Sequence, residues 1–507
     1  MTNLYENLGA ASAIWPDRFA LRCDDLAFSF AEFDDAAAKV ATLLERADVR
    51  PGDRVGVMLG NTPAFAIVFY GIMRCGAVAV PINPLLKAGE IEFYLVNTGA
   101  VALVATPLVV GEARAGAARA GVQRCWIVDD AALGELIREL PRQAALVRRS
   151  ETDTAVILHT SGTTGGPKGA QLTHGGLHRN AEVSARALLE IGPGDVVIGC
   201  LPLFHSFGLT CGLNASVLSG ATLTLIERFD PHKALEVIER DGVTVFEGVP
   251  AMYSALLQSA RSVSPTATRT LRTCISGGAA LPVQVITEFE QTFACAILEG
   301  YGLSETSPVA SFNHPRLLRK PGSIGTPIDG VAMRVVGSNG EPVGEGEAGE
   351  IQIRGHNVMT GYWNQPDATS AAIDSDGWFS TGDIGCVDSD GYYYIVDRVK
   401  DLIIRGGYNV YPREVEEVLY QHPAVAEAAV LGIPHASLGE EIGAAVTLKK
   451  PRSVDEDELR DFVKNRLAAY KYPRRIWFVE SLPKGPTGKT LRREIRLPAT
   501  EPAYGHD

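Results

Sequence analysis

The chain has 507 residues, which at about 150 residues per domain implies roughly three compact units. Hydrophobic residues make up 46% and charged residues 21%, an ordinary globular composition that excludes wholesale disorder, collagen-like repeats and a disulfide miniprotein. With 47 basic against 60 acidic residues the net charge is −13, which argues against a nucleic-acid-binding surface.

The start, Met1 to Phe19, carries Glu6 before its first basic residue, Arg18, so it lacks the positive beginning of a secretory signal. The apolar stretch from Ala64 to Pro81 is interrupted by Arg74 and glycines, and reads as core, with no membrane span expected. The eight cysteines are scattered from Cys23 to Cys386 without a C-x-x-C pair, which indicates a reducing compartment and neither a zinc framework nor a redox pair. A cytoplasmic protein is the expectation.

Further along, Thr154–Leu158 predicts a strand entering a glycine-rich loop, with a helix after the loop. Val243–Glu247, Thr273–Ser276 and Cys295–Glu299 predict further strands, the last two ending at Gly277 and Gly300. Strands that stop at glycine loops before helices are the mark of α/β architecture, in which ligands gather at strand C-termini. From about Gly330 to Asp397 short β-type runs are split by turn residues. The charge then changes sign: residues 398–507 hold 18 basic and 16 acidic residues, +2, against −15 for residues 1–397. This tail predicts its own α+β unit, with a helix from Pro412, strands at Val425–Leu431 and Ile442–Leu448, a helix over about Asp455–Leu467 and a strand at Arg475–Val479.

The chemistry-bearing segments begin with Thr160-Ser-Gly-Thr-Thr-Gly-Gly-Pro-Lys-Gly169. Backbone N–H groups freed by glycine, hydroxyl donors and the Lys168 cation suit a polyphosphate, although a surface Gly/Thr loop has the same composition. It is not a Walker A loop, because the glycine spacing is short and Gly169 follows Lys168 where Ser or Thr would bind magnesium. Gly300-Tyr-Gly-Leu-Ser-Glu-Thr306 offers an aromatic face, a carboxylate and a hydroxyl. Thr381-Gly-Asp383 sets a lone carboxylate beside glycine, and Asp397 to Gly407 combines ions with a glycine pair. Alone, each of these equally describes a core tyrosine, a turn aspartate or a solvated charge run.

Together with Gly485-Pro-Thr-Gly-Lys-Thr490, these segments closely resemble, in order and spacing over about residues 15–495, the signature set of the adenylate-forming superfamily of acyl- and aryl-CoA synthetases, luciferases and peptide-synthetase adenylation domains. The resemblance implies a large N-terminal domain of α/β subdomains plus a small β-rich subdomain (1–397, the latter about 330–397), followed by a small mobile α+β C-terminal domain (398–507). It implies a two-step reaction in which a carboxylate attacks ATP to give acyl-AMP and pyrophosphate, and a thiol, usually of coenzyme A, then displaces AMP. A carboxylate is already nucleophilic at neutral pH, so the protein's task is to neutralise phosphate charge and fix an in-line geometry.

By that resemblance Thr160, Ser161, Gly162, Thr163, Thr164, Gly165 and Lys168 form the phosphate loop. Glu305 is the Mg²⁺ ligand and Thr306 donates to the α-phosphate. Gly278, Ala279, Glu299, Gly300, Tyr301 and Gly302 surround the adenine, and Asp383 and Arg398 hold the ribose. Lys489, with Lys168 and Thr306, is catalytic, Lys400 is the hinge, and Gly406 and Gly407 line the coenzyme A tunnel. Leu203-Phe-His-Ser-Phe-Gly208 resembles an acyl-pocket wall, giving His205, Phe207, Cys211 and Val249 as candidates, although His205 also fits a packed core histidine. His159 stands where the family more often has tyrosine.

The segments around Tyr301 and Tyr408 are most similar to the fatty-acyl and coumarate branches, so a medium- or long-chain fatty acid is the expected substrate, with an aryl acid as the alternative. The malonate-activating branch carries an arginine where this chain has Glu299, which disfavours a dicarboxylate, and no aspartate in Leu203–Gly208 awaits an amino group. An acyl-carrier protein is the alternative acceptor, an oxidising luciferase-like relative and a silent acyl-AMP-binding scaffold are the remaining readings, and a monomer or homodimer is expected.

Overall fold

In a computed structural model of the chain, residues 3–143, 145–160, 167–260, 268–398, 401–406, 408–435, 437–449, 453–485 and 489–498 are described, without the side chains of Arg398 and Asn409. The apolar stretch noted in the sequence becomes the helix Pro63–Arg74, whose twelve residues are all buried, followed by the strand Val78–Pro81. Pro63 sits at the first helical position, where its missing N–H costs nothing. Among the described residues no helix is long and apolar enough to cross a membrane.

That strand belongs to a six-stranded sheet in the order 124–127, 100–105, 54–58, 78–81, 154–160, 168–173. Its pairs are parallel except the last. The last pair corrects the expected organisation of the glycine loop. A strand, not a helix, follows the loop: Thr154–Thr160 pairs antiparallel with Lys168–Thr173, Thr160 facing Lys168, and the helix begins only at His174. Lys168–Thr173 alternates, with Ala170 and Leu172 buried, and the Thr173 hydroxyl then caps the helix by accepting from Gly176 N at 3.0 Å.

A nine-stranded sheet carries the other predicted strands, in the order 326–327, 309–312, 297–302, 273–276, 245–248, 196–199, 222–225, 19–23, 26–29. Its middle is parallel, so the ends of 245–248, 273–276 and 297–302 open on one side. The strand predicted to stop at Gly300 continues to Gly302 and turns back antiparallel on Val309–Phe312. The turn requires glycine at 302, because a β-carbon there would overlap the Pro308 carbonyl oxygen.

The short β runs after residue 330 form an antiparallel four-stranded sheet, 331–336, 349–355, 379–387, 393–398. From Ile403 onward a separate sheet, 408–410, 403–405, 439–448, 425–435 with 475–478 added in parallel, packs helices Pro412–Tyr420 and Glu456–Lys464 around Val415, Leu419, Val430, Ile442, Leu459 and Val463. This small unit touches the large one through Arg413, whose guanidinium donates to the carbonyls of Ile395 (2.6 Å) and Gly322 (3.4 Å), while its amide donates to Asp397 Oδ2 (3.1 Å).

Phe69, fully buried on the Pro63–Arg74 helix between Phe65 and Tyr70, tests the core of the large unit. Phe69→Ala is expected to lower stability by about 3–5 kcal/mol in urea unfolding, without altering nucleotide binding in the folded protein.

Candidate active site

The open ends of the parallel strands and the small unit enclose a cleft of about 240 Å³. Its lining includes Gly278 and Ala279 after one strand, Glu299, Gly300, Tyr301 and Gly302 on the next, Asp383 from the four-stranded sheet, and Lys489 from the small unit. Gly278 adopts φ +80°, a left-handed conformation that favours glycine. Asp383 is 3% exposed and accepts from the Tyr301 hydroxyl at 2.7 Å. Lys489 is presented by a turn in which Lys484 pairs with Thr490 and Gly485 N donates to Lys489 O at 2.8 Å.

Glu299 turns its carboxylate to the loop beside the cleft, where Oε2 accepts from Gly322 N at 2.7 Å. Burial pushes this carboxyl up to about 7 against the lowering effects of that hydrogen bond and of Arg413.

A second cluster lies where the hairpin of the six-stranded sheet meets the turn after Gly302. Glu305 Oε1 accepts from Thr160 (3.0 Å) and from the Tyr362 hydroxyl (3.1 Å), and Lys168 Nζ sits 5.1 Å above the Tyr362 ring. Tyr362 had no signature in the sequence: it stands between Gly361 and Trp363 and enters the cluster only through this long-range contact. Among the described residues no hydrogen bond reaches Glu305 Oε2, so a hard anionic oxygen remains for a cation such as Mg²⁺. Thr306 is fully buried, and its hydroxyl accepts from Leu303 N (2.9 Å) and donates to Pro308 O. In this arrangement the hydroxyl closes the turn instead of facing the cleft.

His159, immediately before the loop, packs against Tyr94 with ring centroids 4.0 Å apart, and its Nε2 lies 3.1 Å from Asn97 Oδ1. Burial lowers it to about 4, so it is neutral at ordinary pH.

The candidate acyl-wall residues come together beside the same strand ends. The Phe207 ring covers Gly277, and Val249 Cγ1 lies 3.6 Å from where a Gly278 β-carbon would stand. Cys211 is buried in the wide-turn helix Gly208–Asn214, and partly buried His205 is lowered to about 4 by desolvation. Glu247, read from the sequence only as the end of a strand, is 1% exposed here and is pushed up to about 8 by burial.

Gly406 adopts φ +57° and bonds Leu438 O through its amide (2.8 Å); it does not line the cleft that Lys489 enters. Ser161, Gly162, Thr163, Thr164, Gly165, Lys400, Gly407 and the Arg398 side chain lie outside the described residues.

A family described as "AMP-binding enzyme" matches residues 9–363, and "AMP-binding enzyme C-terminal domain" matches residues 414–489. The chain is 36% identical over 531 residues to a long-chain-fatty-acid–CoA ligase of Bacillus subtilis (strain 168), covering 97% of this chain and 93% of that protein. It is 37% identical over 491 residues to a feruloyl-CoA synthase of Amycolatopsis sp, covering 95% and 96%. Among solved structures, ATP-bound MatB from Rhodopseudomonas palustris superposes with a TM-score of 0.91 at 32% identity, covering 97% of this chain and 98% of that one. The ligand-free form of MatB, at the same coverage, gives 0.80.

The chain belongs to the AMP-binding, adenylate-forming enzyme family. Within it, the protein is an acid–thiol ligase of the acyl-CoA synthetase kind, with ATP, a carboxylic acid and coenzyme A as substrates.

Glu247 and Glu299 give the fold a pH dependence whose sign follows from their upward shifts. The folded protein keeps protons that the unfolded chain releases above the ordinary carboxylate range, so their contribution is full below that range and is lost as pH rises through about 7 and 8. His159, His174 and His205, lowered to about 4, and His178 and His356, also lowered, oppose this trend near pH 6.5, where the unfolded imidazoles are half protonated and the folded ones are largely neutral; by about pH 7.5 that opposing slope has faded. Between about pH 7.5 and 8.5 the unfolding free energy from urea titrations should therefore fall, by at most about 1.4 kcal/mol per pH unit for each carboxyl. Glu247→Gln should make the decline shallower.

Proposed function

We propose that this enzyme joins a medium- or long-chain fatty acid to coenzyme A through an acyl-adenylate. The observation that carries this reading is the meeting, in one cleft, of the Tyr301–Asp383 pair, the strand end Glu299–Gly302 and Lys489 from the small unit. In the first half-reaction an oxygen of the acid attacks the α-phosphorus of ATP and pyrophosphate leaves; in the second, the coenzyme A sulfur attacks the acyl carbonyl and AMP leaves. Asp383 accepts from the ribose hydroxyls, the Tyr301 ring and the Gly278–Ala279 backbone sandwich the adenine, and Lys489 offsets negative charge between carboxylate and α-phosphate.

Lys168 and the hydroxyl-rich loop before it hold the outer phosphates. Glu305 holds Mg²⁺, which when bound supplies positive charge to the phosphate oxygens. The closer superposition on the ATP-bound than on the ligand-free form of MatB supports an adenylating orientation of the small unit. The 37% identity to a feruloyl-CoA synthase favours, as the second reading, an aryl acid in the same pocket. Supplying coenzyme A and an acyl-carrier protein in parallel assays separates the two acceptors.

Acid-dependent ATP–pyrophosphate exchange over acetate, octanoate, palmitate, benzoate and ferulate identifies the acid. Lys489→Ala should lower that exchange about 10²–10³-fold while thioester formation from supplied acyl-AMP and coenzyme A persists; equal loss of both half-reactions would exclude its assigned role. Glu305→Gln retains an acceptor for Thr160 and Tyr362 but removes the charge, and should slow adenylation at least about 100-fold at limiting magnesium.

A further inference from the structure

The strand Val245–Gly248 aims Glu247 away from the Phe246–Tyr253 core and into the layer between the sheet and the helix Gly208–Asn214. There Glu247 Oε2 lies 3.4 Å from the position a Gly212 β-carbon would occupy, and Oε1 is enclosed without a hydrogen-bond partner. Cys211, Cys200 and Tyr253 are the neighbouring titratable groups, all buried. Glu247 pairs in register with Ile275, two residues before the Gly277 that Phe207 covers, and it precedes Val249 by two residues. The carboxyl thus stands among the residues assigned to the acyl wall, and Thr210 Oγ1, one residue before Cys211, is likewise enclosed and unpartnered.

A wall made only to hold a hydrocarbon gains nothing from a buried carboxyl with an unpartnered oxygen. We propose that Glu247 is a specificity-determining residue whose carboxyl exchanges a hydrogen bond with an uncharged oxygen, a hydroxyl, ether or keto group, carried on the tail of the acid substrate. This inference rests on the acid–CoA ligase reading and narrows its substrate class to oxygenated acyl or aryl acids. Because burial keeps the carboxyl protonated near neutrality, it offers both a donor and an acceptor, which matches a neutral oxygen. A site built around such a bond discriminates strongly against the analogue that lacks the oxygen.

The test uses the full-length enzyme and matched acids: octanoate against 8-hydroxyoctanoate, dodecanoate against 12-hydroxydodecanoate, and cinnamate against 4-hydroxycinnamate. Pyrophosphate release gives kcat/KM for each. In at least one pair the oxygenated acid should be preferred at least about 10-fold. Glu247→Met, similar in volume, should erase that preference through the KM for the acid with the KM for ATP unchanged, and Glu247→Gln should keep most of it. Preference for the plain acid in every pair overturns the proposal, and this is decided by the unmutated enzyme even if Glu247→Met does not fold. A preference that Glu247→Met leaves intact also overturns it, leaving Glu247 as a structural or water-bound carboxyl. Release of pyrophosphate with none of the acids would overturn the ligase reading itself, and this inference with it; turnover of plain acids alone overturns only the role of Glu247.

Discussion

One carboxylate oxygen ties the site together. Glu305 Oε1 takes a hydroxyl from Thr160, 145 residues earlier in the chain, and another from Tyr362, 57 residues later. The paired strands at the edge of the six-stranded sheet, a turn joining two strands of the nine-stranded sheet and a segment between two strands of the four-stranded sheet therefore converge on a single acceptor. Bonds to an ionised acceptor are stronger than neutral ones, and the adjoining turn leaves little latitude, since glycine at 302 is demanded by the Pro308 carbonyl. The position of the carboxylate is thus set by backbone geometry on one side and by two hydroxyls on the other, an arrangement that costs little reorganisation when charge arrives.

The cleft proposed to take the nucleotide is assembled differently, from elements of separate sheets. Tyr301 and Asp383 belong to different sheets and meet through a direct hydrogen bond, while Lys489 enters on a turn of the small unit, whose hydrophobic core is its own. A cation held in this way keeps its local structure wherever the unit is placed. The separation of the two cores is what the proposed role of Lys489, in one of the two half-reactions only, requires.

Much of this architecture is legible in the residues. Thr273–Ser276 is a short apolar run stopped by glycines, and the structure ends the strand at the same residue. Two predicted tail strands are longer than expected: those at 425–431 and 442–448 run over Val425–His435 and Gly439–Leu448, because Gly432 and Pro434 near the hairpin end obscure the alternation, whereas the helix expected over about 455–467 is Glu456–Lys464 and the strand expected at 475–479 ends at Phe478. Lys168–Thr173 was illegible as a strand because only Ala170 and Leu172 mark its inward face, and the glycines before it suggest a loop leading to a helix. Tyr362 and Glu247 escaped notice for another reason. A tyrosine beside glycine and a glutamate at a strand end are ordinary residues, and only the long-range packing that encloses them gives them chemical meaning.

The Arg413 contacts bear on how firmly the small unit is seated. Its guanidinium is received by two backbone carbonyls, acceptors that every residue possesses and that no side-chain substitution at 322 or 395 removes. Asp397 Oδ2, which accepts from the Arg413 amide, is by contrast a side-chain acceptor. On separation, both the guanidinium and the carbonyls exchange these bonds for water, so each contact contributes only about 1.5–3 kcal/mol in net terms. The seat is therefore a modest energy well, built on the receiving side from backbone acceptors at 322 and 395, which tolerate sequence drift, and from one side-chain carboxylate at 397, which does not.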